Sequence, residues 1–158
     1  MKKFVALIII TVEIIVALSS CFFGNKQQNQ VVDGKMYSMS ITNIDHDVID
    51  PNSGEKGMRV NVKVILASGK HSYSTQFWIF DENGNMVNLE NNVELKADLG
   101  EWNIKDNSYN ENEGDFFIPY FILPNNKGRT NYIIAGRLDR DNVETVAESN
   151  RMGFYMVR

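Results

Sequence analysis

Met58-Arg59-Val60-Asn61-Val62-Lys63-Val64-Ile65-Leu66-Ala67 is the stretch on which the fold turns. Met58, Val60, Val62, Val64 and Leu66 alternate with Arg59, Asn61, Lys63, Ile65 and Ala67. Period two is the signature of a strand with one buried face. The branched side chains suit a pleated, half-buried surface. Upstream, Lys35 to Ile44 reads as a second strand, with Tyr37, Met39 and Ile41 on one side. Between them Asp45 to Gly57 is rich in Asp and Gly and contains Pro51, which predicts a loop.

Downstream, Gln76 to Leu89 reads as a hairpin. Asn83-Gly84 stands between two β-rich runs, and a type I′ turn needs positive φ at both central residues. That loop would set Phe80 against Val87 and Trp78 against Leu89, leaving Phe77 and Ile79 on the opposite face. Four consecutive large apolar residues, Phe77 to Phe80, put bulk on both faces of one strand. Either both faces are covered, or one is an exposed apolar patch fit for a partner.

Phe116 to Leu123 is another apolar run, with Pro119 inside it. Proline cannot donate to a ladder, so this strand is expected at an edge or beside a bulge. Pro124 to Gly128 is a turn, Tyr132 to Leu138 a strand, Asp139 to Asn142 a second turn, and Met152 to Val157 a closing strand. About seven or eight short strands without helix–strand alternation predict an all-β, antiparallel sandwich or barrel.

The chain has 158 residues, with 16 Lys+Arg against 20 Asp+Glu and a formal net charge of −4. That length holds one ordinary domain with a core of its own. No Lys/Arg cluster offers an electrostatic footprint for nucleic acid. Cys21 is the only cysteine, so no disulfide can form within the chain.

The N-terminus gives an address. Lys2 and Lys3 precede an apolar run from Phe4 to Leu18, interrupted by Glu13, and Leu18-Ser19-Ser20-Cys21 follows. A basic start, an apolar segment and small residues form the layout of a secretory signal peptide. Phe4 to Leu18 is shorter than the ~20 residues needed to span a bilayer. The last four residues resemble the lipobox of bacterial lipoproteins. The resemblance implies recognition of Leu18, Ser19 and Ser20 by a signal peptidase, then a diacylated Cys21 as the new first residue. Two acyl chains anchor stably where one does not. The mature chain would lose Lys2, Lys3 and Glu13 and become one unit more acidic. Residues 1–20 are thus expected to be signal, 21–33 lipidated Cys and flexible tether, and 34–158 the β domain.

Gly24 to Gln30 contains nothing suited to a core, which supports the tether. Phe22, where lipoproteins retained at an inner membrane carry Asp, implies the outer membrane in a two-membrane bacterium. In a single-membrane bacterium it implies the outer face of the cell membrane.

The order Lys56-Gly57-Met58-Arg59-Val60-Asn61-Val62-Lys63-Val64, then Phe77-x-Ile79-x-Asp81-x-x-Gly84, resembles the telokin-like, immunoglobulin-like domain of bacterial surface lipoproteins. The resemblance implies an immunoglobulin-like β-sandwich, with Phe77 and Ile79 inward and Trp78 and Phe80 on a second surface. It implies an export-side binding or structural module and transfers no catalytic residue. The partner would be an envelope protein or ligand, with the membrane reached through Cys21.

Chemistry-bearing constellations are sparse. Asp45-His46-Asp47-Val48-Ile49-Asp50 offers three carboxylates, short of the six to eight oxygens a hard cation takes. Asp106, Glu111, Glu113 and Asp115 fall in a polar stretch, Asn103 to Asp115, read as a mobile acidic loop. His46 and His71 are the only histidines, too few for a zinc site made of His and Cys. No Gly-x-Ser-x-Gly elbow occurs. Trp102 is either a stacking platform or a ring sealing the core. The expectation is therefore no enzyme, no metal and no cofactor, with Trp78, Phe80 and Trp102 as the candidate partner surface. Two rival functions remain: an inhibitor of exported proteases, drawn from the loops 45–57 and 103–115, and a small β-barrel carrier of an apolar ligand.

Overall fold

The computed structural model describes residues 29–157; the expected signal segment 1–20, the Leu18–Cys21 motif and residues 22–28 lie outside the described residues. Seven strands follow in order: β1 Gln30–Val32, β2 Lys35–Ile49, β3 Lys56–Asp81, β4 Leu95–Pro119, β5 Arg129–Arg140, β6 Glu144–Glu148 and β7 Met152–Val157. All pairings are antiparallel. The expected all-β antiparallel sandwich is the observed class. Gln30–Val32, in the stretch read as tether, pairs with Lys35–Tyr37.

The alternating stretch of residues 58–66 buries the side predicted: Met58, Val60, Val62, Val64 and Leu66 are all core residues. It is the first half of a strand of 26 residues. Residues 56–65 pair with β2 and 57–67 with the second half of β4. Residues 69–77 pair with the first half of β4, and 73–81 pair with β5. The change of neighbours falls at Gly69, whose φ of +127 only glycine adopts without strain. Opposite it, β4 inserts extra residues between Ile104 and Tyr109, with Asn107 at φ 58. Bulges increase local twist and bend a strand, so β3 and β4 together pass from one layer into the other.

The first layer is therefore β1, β2 and the near half of the β3–β4 ribbon. The second is the far half of that ribbon with β5. Along the other edge of β5, β7 pairs with residues 129–134 and β6 with 137–140. The layers meet where β2 faces β5. A methyl group on Gly136 would sit 2.7 Å from Phe77 Cδ1 and 2.9 Å from Met39 Cε, so only glycine lets the layers close there. The Tyr37 and Tyr73 rings lie 6.4 Å apart in the same core.

Three local expectations are corrected. Asp45 to Gly57 is not all loop: β2 continues to Ile49 through a register shift between Asp45 and Val48. The bulge carries Asp47 at φ 57, and the loop proper is Asp50 to Glu55. Asn103 to Asp115 is not a mobile loop but part of β4, paired with β3 throughout most of its length. Its acidic side chains meet cations across the ladder, Glu111 with Lys63 at 2.6 Å and Asp115 with Arg59 at 3.0 Å. A polar strand with one solvated face has no apolar run to betray it, which is why it reads as a loop.

The third concerns the turn. Asn83 does not take positive φ; Gly84 alone does, at 82. The Asp81 carboxylate accepts from the N–H groups of Asn83 and Asn85 at 2.9 and 2.8 Å. This Asx-type capture tightens the turn, and Phe80 opposes Met86 instead of Val87. Residues 86–89 do not form a strand; the strand partner of Phe77 is Leu95. Pro119 ends β4, which is an edge strand, in keeping with its missing N–H.

Candidate functional site

The alternation through Phe77–Phe80 divides as the family resemblance implied. Phe77 and Ile79 are buried, and Trp78 and Phe80 lie half-buried on the outer face of the second layer. On that face Phe80 stands opposite Ile133, Trp78 opposite Ala135 and Gln76 opposite Arg137. One strand further, Ile133 faces Gly153 and Asn131 faces Tyr155.

This face carries three arginine–aromatic stacks. The Arg137 guanidinium lies 5.2 Å from the Trp78 ring centre, Arg151 lies 5.1 Å from Phe80, and Arg129 lies 4.3 Å from Tyr155. Each such contact stabilises by about 0.5–1 kcal/mol at an exposed site. Arg137 is also held through Nε to Asp139 and through Nη2 to Gln76, both at 2.9 Å. The rings are therefore lidded by cations instead of lying bare. In an acidic chain, the result is a face with cationic edges over an aromatic floor.

A shallow cleft of about 370 Å³ opens on it, bounded by Glu82, Arg129, Asn131, Ile133, Gly153 and Tyr155. Its floor is Ile133 beside Gly153, where the absent side chain leaves the hollow. Glu82 comes from the Asp81–Asn85 turn, whose rigidity rests on Asp81. Hydrogen bonds from the Asn85 side chain and from the Asn85 and Asn83 backbone hold that carboxyl below its usual range. A carboxylate, a guanidinium and a carboxamide thus offer hydrogen-bonding groups of both kinds around an apolar floor.

Beyond the cleft, His46 stacks on Tyr155 with ring centres 5.7 Å apart. The Tyr120 hydroxyl lies 3.4 Å from His46 Nδ1 and accepts from Asp47 N at 3.0 Å. Asp47 pairs with Lys56 at 2.8 Å, and that bond holds its carboxyl below the usual range. Asp45 accepts instead from Asn43 and Asn61. The two carboxylates thus serve different partners and do not converge. No cluster of three or more His, Cys, Asp or Glu suited to a metal occurs among the described residues.

Trp102 does not join Trp78 and Phe80. It sits on β4 opposite His71, its ring packed against the core and its Nε1 donating to Leu99 O at 2.8 Å. That is the core-sealing placement. Cys21, Leu18, Ser19 and Ser20 lie outside the described residues. Arg129, Arg137, Arg151 and Tyr155 escaped the sequence reading, because only cross-strand register reveals which rings they cover.

His71 is the one histidine with a carboxylate, its Nδ1 lying 2.8 Å from Asp141 Oδ2. Asp141 Oδ1 accepts from Ser72 N at 2.9 Å and from the Ser72 hydroxyl at 3.3 Å. A relay would place the serine on the far nitrogen of the imidazole. Here Asp141 is shared by both neighbours and ties the bend of β3 to the β5–β6 turn.

No protein-family model and no curated protein sequence matches the chain. Among solved structures, the periplasmic chaperone SfaE aligns at TM-score 0.37 and 13% identity, over 77% of this chain and 56% of that one. A putative beta-galactosidase from Bacteroides fragilis aligns at TM-score 0.36 and 16% identity, over 76% and 16%. The sporulation control protein Spo0M from Bacillus subtilis aligns at TM-score 0.33 and 12% identity, over 75% and 48%. The chain spans 56% of the first of these three and less than half of the other two.

Proposed function

We propose that this chain is a lipid-anchored lipoprotein of the bacterial envelope, acting as a non-catalytic binding module. The observation that carries the reading is Leu18-Ser19-Ser20-Cys21, placed after a basic start and an apolar segment and followed by a β domain. Acylation at Cys21 would hold that domain close to a membrane surface. β1 begins at Gln30, and nine residues of extended chain reach at most about 30 Å. The arginine–aromatic face with its cleft is the binding surface in this reading. Arg129, at its far end, begins the strand that ends at Arg140, whose guanidinium bonds Asp33 beside β1 at 2.9 Å. The cleft therefore lies toward the end of the domain away from the Asp33 turn.

The test is metabolic labelling with an alkyne-bearing fatty acid, followed by membrane fractionation. The wild type is expected to incorporate label and sediment with membranes, whereas Cys21→Ala does neither. Label retained by Cys21→Ala overturns the reading.

A further inference from the structure

β4 runs for 25 residues with β3 along one edge and, among the described residues, no strand along the other. An open edge presents a row of unmet backbone donors and acceptors, ready to pair with another chain. Beside it the sandwich is not sealed. A slot of about 60 Å³ lies between the layers, lined by Val62, Val64, Phe77, Leu99, Gly114 and Phe116. It exists because the inward positions here are Asn110, Asn112 and Gly114, which bring little bulk to the interior. A Cβ on Gly114 would meet nothing within 4 Å. The opposite side of the sandwich, where Met39 closes on Gly136, is packed shut.

We propose that this edge accepts one further strand from a partner: an extended basic segment with alternating residues. Its apolar positions enter the slot, and its Lys or Arg positions stand opposite Glu111, Glu113 and Asp115. Main-chain bonds to an open edge supply affinity in such additions, and pockets for alternate side chains supply selectivity.

Charge chooses the occupant. Glu111, Glu113 and Asp115 point outward in a row, opposite Ile65, Lys63 and Asn61 of β3. Lys63 engages Glu111 and Arg59 engages Asp115, while Glu113 reaches Lys63 only at 4.0 Å and keeps 73% of its side chain exposed. A second copy is the wrong partner. Two antiparallel β4 strands that align these rows set acid against acid in each register, and like charges directly opposite destabilise a sheet.

The experiment uses the full chain in detergent and a ten-residue peptide alternating Val and Lys. Comparison peptides are the same sequence with a central Pro and an alternating Val–Glu sequence. Binding is read by calorimetry, and amide hydrogen exchange reports on residues 109–119. The Val–Lys peptide is expected to bind and to slow exchange across 109–119, and both comparison peptides to bind about tenfold more weakly or worse. Gly114→Phe, which fills the slot, and Glu113→Lys, which reverses the exposed charge, are each expected to weaken binding by a similar factor. The Glu113 variant is decisive should the Gly114 variant fail to fold. Equal binding by the Pro-interrupted peptide means charge adhesion alone and overturns the proposal. So does unchanged exchange at 109–119, or self-association of the full chain through β4.

Discussion

The side chain of Asn150 pairs with both backbone groups of Ile41. Ile41 N donates to Asn150 Oδ1 at 2.8 Å, and Asn150 Nδ2 donates to Ile41 O at 3.1 Å. The two residues are 109 positions apart in sequence, and the carboxamide imitates the strand that β2 lacks on this edge. Ile41 is 2% exposed, so its backbone would otherwise be unmet near the core. Asn150→Ala is expected to cost about 1–3 kcal/mol, the range for leaving a buried polar group unsatisfied. Asn150→Asp keeps the acceptor and loses the donor, so its loss is expected to fall between. Urea unfolding of the three proteins checks the order.

Gly136 sits between Phe77 and Met39 with no room for a side chain. Gly136→Val is expected to destabilise by about 1–3 kcal/mol through overpacking. Met39→Ala should cost less in that background than in the wild type, because the truncation opens space for the added methyls. Additive losses in the double-mutant cycle would mean that the valine is accommodated elsewhere.

Asp141 gives a pH dependence of known sign. The Ser72 backbone N–H, foremost, and the His71 side chain hold its carboxyl below the ordinary value of 3.8. A carboxylate depressed in the folded state contributes stability that is present above its unfolded value. That contribution is lost as pH falls through the folded one. Asp141→Asn is therefore expected to be less stable than the wild type at pH 7, with the gap closing at pH 3. Because the side chain is half exposed, the gap should also shrink in high salt. Urea titrations at the two pH values test this, and a gap that widens in acid would refute it.

By itself, the sequence determined the class and the inward faces. Alternation at 58–66 and at 37–41 predicts the buried residues correctly, because a pleated strand has no other way to bury one side. At Phe77–Phe80 both faces are apolar, and only the family resemblance points to Phe77 and Ile79 as the inward pair. Pro119 in the same manner points to an edge. Only tertiary structure decided three other things. Asn103 to Asp115 is strand because β3 supplies its ladder and Lys63 and Arg59 its counter-charges, none of which is local. The Asn-Gly signal misled by one residue because the Asp81 carboxylate, just before it, captured the turn's donors. The arginine–aromatic face depends on the register of β3, β5 and β7, since Trp78 and Arg137 lie far apart in the chain and meet only across the sheet. Local periodicity states which side of a strand is dry; long-range pairing states which strands exist, where they bend and what covers their outer faces.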